Sequence, residues 1–352
     1  MSLSYLKYVV QKNNVLPIHL IFHVTYKCNS KCKSCFVPIN KNLHLELSLA
    51  EIEKLASNFK NLLWLQLGGG EPFLHPDLDK IAGFFNAKNI SIPTNATMPK
   101  IVLAKTKTIL DNVKPKLLHI SISLDNLGEK HDKFRGFKNN FEKLKETAKE
   151  LMQLKNCYDN LSVSVNTVIS KENEDCIREI GDWVYDNIKP DHHSFEFLRG
   201  TTADPLLTLP EREKQKEIVA VVKSILKKYP FYNGLGIAKL FVQASKMYTQ
   251  ELVERITLDN VRQISCTAGR LSAYIDAHGN VYPCEILKDR LGNIKDVDLD
   301  FKKIWFDQKH NSLKKFIKDK CFCTHSCFML PSILFNSRNY PKIFMNFLKV
   351  RQ

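Results

Sequence analysis

Between residues 18 and 200, short runs rich in β-branched and apolar side chains alternate with longer amphipathic stretches, the pattern of repeated βα units on a parallel sheet. The spacing predicts six strands, over Ile18 to Val24, Leu62 to Leu67, Asn89 to Pro93, Leu117 to Leu124, Leu161 to Ile169 and Ser194 to Leu198. Helices are predicted between them at Ser48 to Phe59, Pro76 to Phe85, Pro99 to Leu110, Asn140 to Leu154 and Glu172 to Asn187. The first opens with Ser48 as N-cap and Glu51 three residues on. The strands read as nearly continuous apolar runs, which predicts helices on both faces and right-handed crossovers. Six units make an α/β partial (β/α)6 barrel, and in such folds chemistry collects beyond the carboxyl ends of the strands.

Beyond residue 200, Leu209 to Lys228 and Ile237 to Glu254 read as helices of a connector over 201–260. A second, smaller unit over 261–335 follows, where Leu271 to Ala277 and Val281 to Ile286 flank the turn signal His278-Gly279-Asn280 and predict a β-hairpin. The last segment, 336–352, sets Ile343, Phe344, Phe347, Leu348 and Val350 among Lys342, Lys349 and Arg351. Such an amphipathic helix could lie on a membrane, but packing on the second unit is the reading preferred. No secretion signal opens the chain and no apolar stretch of about 18 residues could span a bilayer. A cytoplasmic setting, with reduced thiols, is therefore expected.

The chain has 52 Lys and Arg against 37 Asp and Glu, a formal net charge of +15. The lysines are scattered, so the balance reads as a basic solvated surface; a nucleic-acid module would need a concentrated basic stripe interleaved with aromatics. Ten cysteines change the picture more, because they are grouped, three between residues 28 and 35 and three between 321 and 327. Grouping points to metal ligation. Cys157 and Cys176 stand alone on helical stretches and read as buried small apolar residues.

Cys28-x3-Cys32-x2-Cys35 falls just after the first strand. Three thiolates there suit either an iron–sulfur cubane or zinc, and a cubane with three cysteine ligands leaves one iron open for chemistry. Gly68-Gly69-Gly70-Glu71-Pro72 closes the second strand. Its glycines allow backbone to approach a ligand closely, although alone the run would read as a tight turn.

With these motifs the chain resembles the radical S-adenosylmethionine (SAM) superfamily, whose hallmark is this cysteine spacing with a neighbouring aromatic, here Phe36. The likeness runs through Gly69 to Pro72, Thr94-Asn95, Ser121 to Asp125, His131 to Gly136, Asn166 and Leu198-Arg199-Gly200, covering a core over about residues 18–200. The resemblance implies a 4Fe–4S cluster on Cys28, Cys32 and Cys35 whose open iron chelates SAM, and whose electron releases a 5′-deoxyadenosyl radical. It further implies that Gly69 and Gly70 offer backbone to the methionine moiety and Glu71 holds its ammonium, with Thr94 and Asn95 beside it. Ser123, Asp125 and Asn166 would fix ribose or carboxylate, Arg135 a carboxylate, and Leu198 and Arg199 would border the adenine. Ala96 stands where the family more often has glycine.

Cys266-x12-Gly279-x4-Cys284, followed by Cys321, Cys323 and Cys327, resembles the auxiliary-cluster extension of the SPASM and twitch branches. A full SPASM domain would need about seven cysteines, so five favour the shorter form with a second 4Fe–4S cluster. Cys266, Cys284 and Cys327 are expected ligands, Cys323 the fourth and Cys321 the spare; a zinc site using His325 is the alternative. His192, His193 and Glu196 read as ordinary strand-end residues that could orient substrate.

These readings predict a radical SAM oxidoreductase acting on a small-molecule or carbohydrate-like substrate, fed by an external one-electron reductant such as flavodoxin or ferredoxin. The alternative is a maturase of a ribosomally made peptide. Only residues 1–17 precede the first strand, so a fused leader-binding domain is not expected and a peptide would need a separate recognition partner. A non-catalytic iron–sulfur or zinc protein is the alternative of another class; a carrier would need a fourth cysteine on the first cluster.

Overall fold

The computed structural model describes residues 7–10, 15–60, 62–229 and 237–351. Parts of the expected N-terminal extension (1–6 and 11–14), the connector stretch 230–236, and Gln352 lie outside them, as do the side chains of Lys349, Val350 and Arg351. Among the described residues one sheet of nine strands forms, in the order β6-β5-β4-β3-β2-β1-β7-β8-β9. The strands are β1 His19–Thr25, β2 Trp64–Gly69, β3 Asn89–Thr94, β4 Leu117–Ser123, β5 Leu161–Ile169, β6 His192–Phe197, β7 Ser272–Ile275, β8 Asn280–Tyr282 and β9 Gly292–Asn293. The helices are α1 Lys7–Val10, α2 Leu49–Ala56, α3 Leu78–Phe84, α4 Pro99–Thr108, α5 Gly128–Arg135, α6 Asn140–Lys155 and α7 Ile177–Asn187. They continue as α8 Arg212–Leu226, α9 Ile237–Asp259, α10 Phe301–Trp305, α11 Asn311–Asp319, α12 Ser326–Leu334 and α13 Tyr340–Arg351.

β1 to β6 pair in parallel in sequence order, the partial (β/α)6 barrel. The predicted strands all form, with shifts of one or two residues at their ends. The Ser48 capping box is complete: the Ser48 N–H donates to Glu51 Oε2 at 2.8 Å and the Glu51 N–H to Ser48 Oγ at 3.4 Å. The short helix α5 went unpredicted because its GEKHDKFR sequence has little apolar periodicity.

The expectation of crossover helices on both faces is corrected: those of the βα units lie on one face, and the other is met by α11 and α12 from the second unit. Leu20, Phe22, Leu65, Ile90, Ile120 and Val163 share one core with α2, α3, α4, α6 and α7. Alternate strand positions point the other way, and most are polar: His19, Gln66, Ser91, His119, Ser164 and Glu196, beside Ile21, which packs on α11 and α12 through Ile317 and Phe328. His119 bridges this second face, its Nδ1 3.1 Å from Ser91 Oγ and its Nε2 2.8 Å from Ser164 Oγ. The strands therefore have a period of two, half masked by β-branched residues.

The C-terminal hairpin is continuous with the barrel. β7 lies parallel to β1 with His19 opposite Ser272 and Phe22 opposite Ile275, while β8 returns antiparallel. α13 packs on α9 and α12 through Ile343, fully buried, and Phe347, whereas Phe344 and Leu348 stay exposed. Its apolar stripe thus serves packing, the reading preferred for this segment.

The glycine run meets the chain itself. Gly69 has φ of +130°, and a Cβ there would sit 2.2 Å from the Thr25 carbonyl oxygen; one on Gly70 would sit 2.3 Å from that of Lys27. The Gly70 and Glu71 N–H groups donate to those same two carbonyls at 2.8 and 2.9 Å. Gly69→Ala is expected to destabilise the cluster-free protein by about 3 kcal/mol, read as a lowered unfolding midpoint. An unchanged midpoint would show that the glycine serves only a ligand.

Candidate metal centres and active site

The Cys28 to Cys35 loop leaves the carboxyl end of β1 and is held from two sides. Lys31 and Lys33 N–H groups donate to the Arg135 and Phe134 carbonyls, both at 3.0 Å, and Ala203 N–H to the Cys35 carbonyl at 2.7 Å. The Asn40 side chain brackets Cys28, accepting from its N–H at 3.0 Å and donating to its carbonyl at 2.9 Å. Ser30 N–H points at Cys28 Sγ, 3.4 Å away.

Burial pushes all three thiols up, Cys32 to about 12, and the neighbouring thiols raise Cys28 and Cys32 further. Facing them is the Arg135 guanidinium, which works against that rise. Thiols so placed stay protonated unless a cation neutralises them. Among the described residues no three of these side chains already stand close enough to hold a metal ion, but three thiols on one loop beside Arg135, whose buried Nε has no hydrogen-bond partner among the described residues, suit in their chemistry a cluster with three cysteine ligands and an anionic group of a further ligand near the guanidinium.

The other carried-over residues gather around this loop. Asn95 Nδ2 donates to Asn29 Oδ1 at 2.8 Å and to Ser30 Oγ at 3.0 Å, and lies 4.0 Å from Cys28 Sγ. The Glu71 carboxylate is buried and accepts from Phe73 N–H (3.2 Å), Thr94 Oγ1 (3.0 Å) and Asn95 N–H (2.7 Å). Burial outweighs these donors and lifts it to about 7. Within the chain, Glu71 ties the glycine run to the end of β3. Asp125 is likewise engaged: Oδ2 accepts from Arg135 at 2.9 Å and Oδ1 from Val168 N–H at 2.9 Å.

Ser123 and Asn166 face each other across β4 and β5, half-buried. Ala96 takes the left-handed φ of 59° that glycine adopts freely, at a cost of about 1–2 kcal/mol.

The second cysteine group closes over the polar face of the sheet. Ala268, Ile286 and His325 N–H groups point at Cys266, Cys284 and Cys323 sulfurs at 3.4, 3.5 and 3.4 Å, each two residues on, as Ser30 does for Cys28. Burial raises Cys266 to about 11, and the thiols of Cys323 and Cys321 raise it further. Cys327 packs in the same cluster as Cys266, Cys284 and Cys321, but its Sγ donates to Gln66 Oε1 at 3.6 Å, and the charges of Glu196, Glu285 and Arg199 act on it.

Between the two groups lies a network that the sequence reading missed. Glu285 Oε1 is 3.1 Å from His23 Nε2 and Oε2 is 3.0 Å from His325 Nε2, while His23 Nδ1 is 3.0 Å from the Tyr274 hydroxyl. Burial alone would raise the Glu285 carboxyl, yet the two imidazoles hold it below the usual range. The only sequence signal was an acid directly after Cys284 and histidines at in-phase positions of β1.

Arg199 sits among the second cysteines. It pairs with Glu196, reaches the Thr324 carbonyl at 3.4 Å and is influenced by Cys323 and Cys327, while Ser326 donates to Glu196. Leu198 is half-buried, its N–H bonded to the Ile169 carbonyl at 2.9 Å. His193 is buried against Thr167 and Phe195, away from the polar face, and His192 is half-buried. Cys157 is exposed in the turn after α6 and Cys176 caps α7 half-buried, so the expectation of buried helical cysteines fails for Cys157.

The Radical SAM superfamily model matches residues 22–184, and that of the SPASM iron–sulfur cluster-binding domain matches residues 266–328. The antilisterial bacteriocin subtilosin biosynthesis protein AlbA of Bacillus subtilis is 24% identical over 320 residues, covering 87% of this chain and 65% of its own length. This chain thus spans slightly under two thirds of that relative. The AdoMet-dependent heme synthase of Methanosarcina barkeri is 25% identical, with 82% of each chain covered. Among solved structures, Streptococcus suis SuiB bound to precursor peptide SuiA shares the fold with a TM-score of 0.59 at 17% identity, covering 90% of this chain and 71% of SuiB. No helix among the described residues is long and apolar enough to cross a membrane. The chain belongs to the radical SAM superfamily and carries a C-terminal SPASM iron–sulfur domain, with a 4Fe–4S cluster, SAM and an auxiliary iron–sulfur cluster as its cofactors.

Proposed function

We propose that this chain modifies a peptide by radical chemistry, with a net oxidation aided by the auxiliary cluster, in the cytoplasm. The observation that carries this reading is the match to the bacteriocin biosynthesis protein AlbA over 87% of the chain; the SuiB fold, seen with a precursor peptide, supports it. The small-molecule reading first preferred from the sequence keeps one support, the heme synthase match over 82% of the chain.

When bound, the cluster and SAM supply a carbon-centred radical that takes a hydrogen atom from substrate. Cys28, Cys32 and Cys35 would hold the cluster and Arg135, through its unpartnered Nε, a carboxylate. Ser123 and Asn166 would take ribose hydroxyls. Glu71, Thr94 and Asn95 orient these elements by locking the glycine run, β3 and the cysteine loop together, and Gly69 and Gly70 pack the run on the end of β1. The carboxylates and imidazoles of Glu196, Glu285, His23 and His325 form a polar wall between the two cysteine groups.

For the auxiliary cluster, the shared N–H···S turns at Cys266, Cys284 and Cys323, and the proximity of Cys321 to Cys266, favour those four as ligands and Cys327 as the spare thiol. This reverses the order expected from spacing. Cys321→Ala should lower bound iron by one cluster while Cys327→Ala retains it; the opposite pattern restores the spacing-based assignment.

Cys32→Ala should abolish 5′-deoxyadenosine formation from SAM and dithionite; formation at the parent's rate would sink the first site. With SAM, dithionite and synthetic precursor peptides as candidate substrates, deoxyadenosine formation should rise and the accepted peptide should change in mass or stereochemistry. Turnover indifferent to such peptides but stimulated by a porphyrin would favour the small-molecule reading.

A further inference from the structure

We propose that Arg199 serves the auxiliary cluster and not a nucleotide: its guanidinium, fixed beside the second cysteine group, makes that cluster easier to reduce, with Glu196 as the opposing charge. The proposal deepens the reading of the auxiliary cluster as an aid to oxidation and rests on that reading, not on the nature of the substrate.

Arg199 stands two residues past the end of β6, and its side chain is 18% exposed. Its Nη1 is committed twice, to Glu196 of β6 in an ion pair and to the Thr324 carbonyl at 3.4 Å, next in the chain to Cys323. The other Glu196 oxygen accepts from Ser326 Oγ, next in the chain to Cys327. The ion pair is thus tied to the cysteine-bearing stretch 323–327 through both of its members.

The Arg199 Nε is buried and has no hydrogen-bond partner among the described residues. A buried donor on a charged group left without an acceptor is costly, so such an atom marks a place where a ligand supplies one. Among the described residues one other arginine shows this feature, Arg135 beside the first cysteine group. Burial works against the Arg199 charge, while Glu196, Cys327 and Cys323 sustain it. Burial also pushes the Cys323 and Cys327 thiols up, and the guanidinium works against that rise at both. Cys323 is a ligand whether Cys321 or Cys327 is the spare, so the inference does not depend on that choice.

An iron–sulfur cluster gains one negative charge when it takes up one electron, and its potential follows the net charge and the hydrogen bonds around its sulfurs. A fixed cation favours the reduced form and raises the potential, and an N–H donated to one of the sulfurs acts in the same sense. A fixed carboxylate lowers it. The guanidinium stays protonated in both states, so it moves no proton with the electron.

The test is a redox titration of the cluster-loaded protein followed by electron paramagnetic resonance, after iron and sulfide have been counted. The signal that added SAM perturbs belongs to the first cluster, and the other to the auxiliary one. Arg199→Met should lower the midpoint potential of the auxiliary signal and Glu196→Gln should raise it. Arg199→Lys keeps the charge and should stay nearer the parent than Arg199→Met. Opposite shifts from the two members of one ion pair are the mark of charge, since loosened packing would move both the same way. If Arg199→Met loses a cluster, Glu196→Gln and Arg199→Lys decide the matter.

Auxiliary midpoints that stay at the parent's value, or that move in the same direction in Arg199→Met and Glu196→Gln, would overturn the proposal. So would a change confined to the SAM-sensitive signal, which would return Arg199 to the nucleotide. No substrate enters these measurements, so their failure is distinct from failure of the peptide-modifying reading.

Discussion

The first cysteine loop and the hairpin that carries Cys284 both hang from β1. On one side this strand pairs with β2, from His19 opposite Trp64 to Thr25 opposite Gly69, and on the other with β7, from His19 opposite Ser272 to Phe22 opposite Ile275. The first cysteine loop leaves its carboxyl end, and the hairpin carrying Cys284 is aligned by its other edge. Ladder bonds on both sides leave β1 no freedom to twist independently. The two groups of thiols are thereby placed at fixed positions on one polar sheet face.

That face is specified by paired polar groups. The Asp125–Arg135 ion pair and the His23–Glu285–His325 network lie inside, where leaving one partner unpaired costs about 3–5 kcal/mol. Such networks add little net stability, yet they tolerate few alternative arrangements. Arg135 bonds to Asp125 while its Nε stays free beside the cysteines, so the same residue braces β4 and presents charge to the cluster loop. Arg199 plays the matching part for the second group, pairing with Glu196 on β6 and reaching the Thr324 carbonyl.

What was legible in the sequence was local: the βα alternation, the Ser48 capping box, the cysteine spacing and the glycine run. Apart from the short helix α5, the misses were mainly long-range. Nothing near residue 272 announces a parallel partner some 250 residues earlier, since strand pairing at that separation is settled by packing and not by local propensity. The apolar reading of the strands failed because Ile and Val at alternate positions of β4 and β5 masked Ser and His between them. Arg199, within the family motif after β6, could be assigned to a nucleotide by analogy, yet its neighbours Cys323, in the loop before α12, and Cys327, on the first turn of α12, are brought there only by the tertiary fold. The direction of Cys327, toward Gln66, depends on the rotation of α12 about its axis, which spacing does not encode.

Barrel and auxiliary hairpin form one sheet through β1. Amide hydrogen exchange of the cluster-loaded protein tests this directly. The β7 amides of Ser272 to Ile275 should exchange as slowly as those of β1 and β2, opening only with the whole sheet. A hairpin that exchanges much faster than β1, as an appended unit would, contradicts it.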